Sequence, residues 1–442
     1  VRHPLNALVG SGIFPDTGCR TPCFRCLLAF RFIHTADLHL DSPLRALALR
    51  SPDLARELGV ATRAALTRII DLCIAEDVHF LLIAGDLWDG RHSSTKTPRF
   101  LKQELLRLQA AGIRCFVIRG NHDALAKQVG ELALPDNVTL FGSRATSEVL
   151  DIDGHGVVIH GLSFRDAHAP ESLLARFPSA SPDAFNIGLM HTSLNGTAGH
   201  DVYAPCSAAD LHAHGFHYWA LGHIHRRSEH HGRATIVMPG IPQGRDMGEW
   251  GNTSVTLCRV ADDNTLTLEQ HCVAAVRFER WDVDCAGVAD WTDLLALIAR
   301  SLPQGNMAEA QCVLRLTLRG ATPLAWRIAR DLDRLTEETH ALAAAVDGLW
   351  IDKIELDLDQ ADNVPAANLP SDLVRLMLEE LPDDPGLQGE LAAFAEALTG
   401  FLPPDLRDFL GEDDASKEAI RRDLLQEGCA RLLARLTPDA AS

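Results

Sequence analysis

No apolar run in this 442-residue chain approaches the roughly 18 to 20 uncharged residues that a membrane-spanning helix needs, so a protein anchored by such helices is excluded. Positive charge is scarce too: 41 Lys+Arg face 60 Asp+Glu, a formal charge of −19, which at first sight argues against a partner made of phosphates. A disulfide framework is missing as well. The 11 cysteines are odd in number and scattered, in a chain too large to need staples, so a reducing cytoplasm is the expected setting. Cys19, Cys23 and Cys26 form the only tight group and lack a fourth ligand, so no zinc site is assigned to them.

What is present is ordinary globular material. Hydrophobic residues make up 46% and charged residues 23%, and the length predicts two or three domains. The acid is unevenly placed. Residues 331–442 hold 9 Lys+Arg against 26 Asp+Glu, which leaves residues 1–330 within two charges of neutrality. That first part also carries 19 of the 20 histidines, so it is rich in the commonest metal ligand and does not exclude a nucleic acid. The first 29 residues, with Pro4, Gly10, Gly12, Pro15, Gly18 and Pro22, show neither periodicity nor a signal-peptide pattern and read as a disordered extension.

From Phe30 onward the pattern is α/β: strands at 31–36, 78–84 and 113–118, with helices at 59–75 and 100–111 between them. Shorter strands at 138–141, 157–162, 186–190, 218–221, 235–238 and 254–260 predict a second sheet. Near Arg277 a small α+β unit begins, with helices at 291–300 and 325–338 and strands at 312–318 and 349–356. Beyond Asp362 the chain reads as acidic helices broken by prolines, a possible partner-docking region though more often a solvated face. The expected domains are therefore 30–275, 276–360 and a tail at 361–442, after the extension at 1–29.

Five strand ends deliver polar residues in order: Asp37 and His39, Asp86, Asn121-His122-Asp123, His191, and His223 with His225. Open α/β sheets bind ligands at such ends. Singly, each group is no more than turn chemistry, because Asp, Asn and Gly are common turn residues. Together they make a hard, mixed nitrogen and oxygen set without cysteine, which favours manganese, iron or zinc. Seven ligands, Asp37, His39, Asp86, Asn121, His191, His223 and His225, exceed one site that must leave room for substrate. They suit two ions about 3.5–4 Å apart sharing a carboxylate.

The order D-x-H, GD, GNHD, H and GH-x-H resembles the calcineurin-like metallophosphoesterases, within them the SbcD-type and YhaO-type DNA repair exonucleases. The similarity includes Ile33 to Pro43, Ala84 to Asp89 and Pro239 to Arg245, covers roughly residues 30–360 and fades in the tail. The resemblance implies an α/β fold: a two-sheet sandwich flanked by helices, with a small α+β capping domain and a helical tail. It implies one metal held by Asp37, His39, Asp86 and His225 and a second held by Asp86, Asn121, His191 and His223, with Asp86 as the bridge. His122 would be the catalytic, non-ligand histidine. Apart from the resemblance, Asp123 is read as able to orient it, against the tendency of adjacent side chains to point apart. Asp89 stands where eukaryotic and archaeal relatives carry histidine, which removes any inference about cleavage polarity from them.

The expected activity is thus manganese-dependent hydrolysis of DNA phosphodiesters, as exonuclease or endonuclease, with an SbcC-like or YhaN-like coiled-coil ATPase as partner and a homodimer possible. Two cations would offset the lack of a basic surface. A phosphoesterase for small-molecule phosphate esters or nucleotides is the alternative. A non-catalytic subunit that tethers DNA or the ATPase is the alternative of another class, and the intact ligand set stands against it. His212, His214, His217, His230 and His231 are kept out of the site. Arg226, Arg227 and Arg245 are read either as phosphate contacts or as plain surface, and Trp88 as core rather than a base-stacking platform.

Overall fold

A computed structural model describes residues 28–42, 52–88, 96–125, 134–166, 171–194, 203–251, 253–303, 310–360, 370–401 and 414–436. Residues 1–27 of the expected extension, with its three cysteines, and Asp89 lie outside the described residues, while Leu28 and Ala29, expected in the extension, begin the first strand.

The first sheet runs in the order β12 (Leu266–His271), β11 (Val255–Ala261), β1 (Leu28–Thr35), β2 (Phe80–Ala84), β3 (Arg114–Ile118) and β4 (Val138–Leu140). Strands β1 to β4 are parallel, while β11 and β12 add antiparallel. Period-2 alternation divides β1. Phe30 and Phe32 join Phe80 and Phe116 in the inner core, and Ile33 faces the helices α1 (Pro52–Ala75) and α2 (Lys96–Ala110) through Leu66, Ile69, Leu101 and Leu105.

The second sheet has the order β5 (Thr146–Ile152), β6 (His155–Gly161), β7 (Phe185–His191), β8 (Tyr218–Gly222), β10 (Thr235–Met238) and β9 (Ser228–His231). Its inner face contributes Ile187, Leu189 and Tyr218 to the same core as Phe30 and Phe32, which closes a two-layer sandwich. The short helix α3 (Asn121–Leu125) follows β3, and the outer face of the second sheet packs Trp219 and Phe216 against Leu211 of α4 (Ala208–His214). This is the expected α/β sandwich flanked by helices. Two strands change sheets, however: those near 138 and 254, expected in the second sheet, belong to the first. The cause is long-range pairing, Phe32 with Cys258 and Cys115 with Val138, to which local periodicity is blind. The strands β5, β9 and β12, absent from the sequence reading, are sheet edges whose half-exposed, polar side chains give little apolar alternation.

A third, all-parallel sheet follows: β13 (Val276–Asp284), β14 (Gln311–Thr322) and β15 (Leu349–Gln360). Helices α5 (Trp291–Ser301), α6 (Ala325–Arg330) and α7 (Leu332–Ala343) pack on it through Leu294, Ile298, Ile328 and Leu335. The helix expected over 325–338 is broken at Asp331, whose φ of −105° and ψ of 29° leave the helical region. Beyond it lie α8 (Ser371–Arg375), α9 (Pro385–Phe401) and α10 (Asp414–Leu436). Met377, Cys429 and Leu433 anchor this acidic segment on Trp326. No helix among the described residues is long and apolar enough to cross a membrane.

Candidate metal centre

The C-terminal ends of β1, β2, β3, β7 and β8 meet at one edge of the sandwich, and their loops are tied to one another by backbone hydrogen bonds. The Asp37 and His39 amides donate to the carbonyls of Gly85 and Asp86, both at 3.0 Å, and the Thr192 amide to that of Gly222 at 3.0 Å. All seven expected ligands and His122 converge there. Ligand atoms lie within 4.8 Å of one another in each of three groups: Asp37 with His39 and His225, Asp37 with Asp86 and His191, and His39 with Asp86 and His122. Asp86 occupies the middle, its Oδ2 3.4 Å from His191 Nε2 and 3.9 Å from His39 Nε2. Asn121 Oδ1 lies 3.0 Å from His191 Nε2, and the His223 ring packs 5.2 Å from that of His191.

Holding these groups so close strains the backbone. Asp37, His39, Asp86 and His223 all have positive φ, at 53°, 40°, 52° and 105°. Such conformations cost on the order of 1 to 3 kcal/mol each. Glycine supplies the remaining room, since a Cβ at Gly120 would overlap Asp86 Oδ1 and one at Gly85 would run into the His191 ring.

Electrostatically the cluster is incomplete by itself. Asp37, Asp86, His39 and His191 are at most 1% exposed. Burial pushes the Asp37 carboxyl up, and neighbouring Asp86 adds to the shift. His191 Nδ1 faces the Ala84 carbonyl at 2.9 Å and must donate to it, which leaves Nε2 looking at two oxygen acceptors. Either a second proton or a cation has to stand there. Burial opposes the proton, but Asp86 and Asp37 outweigh it and raise His191 to about 9. Burial likewise works against ionised Asp86, yet His191, His39 and His122 hold it well below the usual carboxylate range. His39 Nδ1 is buried with no hydrogen-bond partner among the described residues, and its Nε2 lies 3.2 Å from His225 Nε2. Two buried carboxylates among imidazole nitrogens that converge on the same points are the donor set of a divalent-cation site.

Of the neighbouring residues, Asp123 takes a part other than the one expected. The Asp123 oxygens accept the Trp88 amide at 3.0 Å and the Gly120 amide at 2.9 Å. Asp123 therefore clamps the β2 loop to the β3 loop instead of orienting His122. Burial and nearby Asp86 raise its carboxyl to about 7. Arg227 is engaged by Thr256 at 2.6 Å and by Glu229, and Arg245 by Glu249, whereas Arg226 is exposed. Trp88 is core, as read. His214 Nε2 faces the Pro178 carbonyl, and His217 and His212 accept the Asn186 and Ala234 amides. His230 and His231 pair within β9 against β10.

One group was not found from sequence. Glu249, in a short 3-10 turn at 247–249, accepts from His225 Nδ1 at 2.7 Å. No spacing rule links it to GH-x-H; only its place after the Pro-Gly-x-Pro-Gln-Gly-Arg stretch could have drawn notice. Burial opposes its ionisation, yet His225 and Arg245 hold it well below the carboxylate range.

A two-sheet α/β sandwich with carboxylates and imidazoles gathered at its strand ends defines a metallophosphoesterase, a metal-dependent hydrolase. Comparison with known proteins narrows this. Residues 30–227 match the calcineurin-like phosphoesterases and residues 278–359 the middle domain of the metallophosphoesterase YhaO. The chain is 34% identical to the uncharacterized metallophosphoesterase YhaO of Bacillus subtilis, over 70% of this chain and 76% of that one. The chain belongs to this YhaO family of metallophosphoesterases. It is 25% identical to the SbcD component of the nuclease SbcCD of Rhodobacter capsulatus, over 79% of this chain and 93% of that one. It is 26% identical to the DNA double-strand break repair protein Mre11 of Methanocaldococcus jannaschii, over 44% of this chain and 51% of that one, and so spans about half the length of that relative.

Proposed function

We propose that the protein hydrolyses DNA phosphodiesters with two divalent cations, manganese by preference, in the manner its nuclease relatives' names imply. One observation carries the reading: Asp86 lies buried between His39 and His191, where a single carboxylate can serve two cations. Asp37, His39, Asp86 and His225 would hold one, and Asp86, Asn121, His191 and His223 the other. Such a pair polarises phosphoryl oxygens and activates water for in-line attack at neutral pH.

The chain's own residues do the rest. The His122 amide is fixed to Asp86 Oδ1 at 3.0 Å, and its half-buried ring packs 4.9 Å from that of His39 at the rim of the cluster. There it can hydrogen-bond the scissile phosphate and hand a proton to the leaving oxygen. The buried strand ends exclude water from the ligands and keep them in place before substrate arrives. The acidic chain brings little affinity for DNA of its own, so a partner ATPase of the coiled-coil kind is the reading for how DNA is held, within a cytoplasmic complex.

The test is manganese-dependent cleavage of end-labelled linear DNA, beside the Asp86→Ala variant and a small phosphodiester. Loss of DNA cleavage in the variant supports the nuclease. Turnover of the small ester alone, with DNA intact even when the ATPase is supplied, would replace it with a small-molecule phosphoesterase.

A further inference from the structure

The 3-10 turn at 247–249 lies where the sandwich meets the three-stranded unit, and both of its ends are engaged. On the sandwich side, the Glu249 carboxylate takes His225 Nδ1 at 2.7 Å. Nδ1 also lies 3.3 Å from Arg245 Nη2, which can only donate, but the carboxylate at 2.7 Å can only accept, and this shorter contact puts the proton on Nδ1 and leaves the Nε2 lone pair directed toward His39 Nε2 3.2 Å away. Arg245 completes the arrangement. Its amide donates to Glu249 Oε2 at 2.8 Å and its Nε to Oε1 at 3.0 Å. The Glu249 side chain is only 13% exposed, so this hydrogen bonding takes place largely away from water.

On the other side, Met247 is buried against Val276, Phe278 and Val313 of β13 and β14. The Gly251 amide donates to the Phe278 carbonyl at 2.9 Å. Gln243, just before the turn, ties itself to β13 by accepting the Val276 amide at 3.1 Å and donating to the Val276 carbonyl at 2.7 Å. The segment that aims a metal ligand is thereby seated on the neighbouring unit.

We infer that Glu249 is a positioning residue that fixes the tautomer and aim of His225, and that the three-stranded unit holds it there, so the seating of that unit sets how tightly one cation is bound. The inference rests on the metal-centre reading above. A histidine ligand whose far nitrogen donates to a carboxylate is better oriented and more basic, and loss of such a partner typically weakens metal binding by about 10–100-fold. The sequence reading gave Arg245 a place among possible phosphate contacts; here it serves the carboxylate.

The test is a manganese titration of the full chain, with free ion followed by electron paramagnetic resonance and unfolding followed in parallel. Wild type is expected to bind two ions. Glu249→Ala should weaken one of them by about 10–100-fold and leave the other, at an unchanged melting temperature in chelator. Glu249→Gln, which keeps an acceptor for Nδ1, should recover most of that affinity. Met247→Ala, which loosens the seat and touches no ligand, should weaken the same ion in the same direction. Two ions bound with wild-type affinity by Glu249→Ala would overturn the role of Glu249, and unchanged affinity in Met247→Ala would overturn the role of the neighbouring unit. A wild-type chain that binds no divalent cation would bring down the metal-centre reading itself.

Discussion

Two clusters of charge in this molecule are built on opposite plans. At the strand ends of the sandwich, Asp37 and Asp86 stand with His39 and His191 in a site at most 1% exposed, with no Lys or Arg within salt-bridge distance among the described residues. On the three-stranded sheet, Arg315 meets Asp352 at 2.5 Å and Glu355 at 3.3 Å, and Arg319 meets Asp282 at 3.2 Å, with each of these side chains partly in water. In the second arrangement each arginine has carboxylate partners, and water screens what charge is left over. The first leaves two buried carboxylates among imidazoles, whose cost of burial is offset by a proton on His191 or by a cation at the same place. Burial without compensation, more than the mere density of charge, is what marks the functional region.

The comparison can be broken or sharpened in order of expected effect. Asp86→Ala should remove both cations and lower turnover by roughly 10³-fold or more, because the shared ligand goes; residual hydrolysis near wild type would deny it the bridging place. His122→Ala should leave metal content intact while turnover drops by roughly 10² to 10⁴-fold, and full activity there would remove it from the mechanism. Asp37→Asn should lose metal yet raise the stability of the chelated protein by about 1 to 3 kcal/mol, since it deletes a buried charge. A fall in that stability on denaturant titration would mean that the cluster balances itself without a cation. Arg315→Ala should cost about 1 to 2 kcal/mol, with metal binding and turnover unchanged, because the pairs it breaks are partly solvated.

Legibility in the sequence follows the same division. The candidate-ligand strand ends were readable because β2, β7 and β8 are short, uniformly buried runs, and β3 is one after its first residue, all giving way to polar residues. The order of those polar residues carried the family resemblance. Strand pairing was less legible: β11 lies beside β1 although more than 200 residues separate them, and nothing in the local alternation of either strand records the other. Asp123 was misread because its neighbour in sequence is His122, whereas its carboxylate turns to the amides of Trp88 and Gly120. Glu249 was missed because its partner, His225, is 24 residues away and is reached only once the turn is seated on β13.

The sequence by itself determined the α/β character, the set of candidate metal-ligand residues and the placing of acid in the tail, since apolar period, residue chemistry and composition are local properties that survive without a fold. Only the tertiary structure decided which strands share a sheet, that Asp86 is the carboxylate lying between two imidazoles, and that Arg245 and Glu249 serve His225. Those depend on pairing and burial between segments far apart in the chain, and the energy that sets them is nonlocal: it arises when charged groups are brought together and water is taken away.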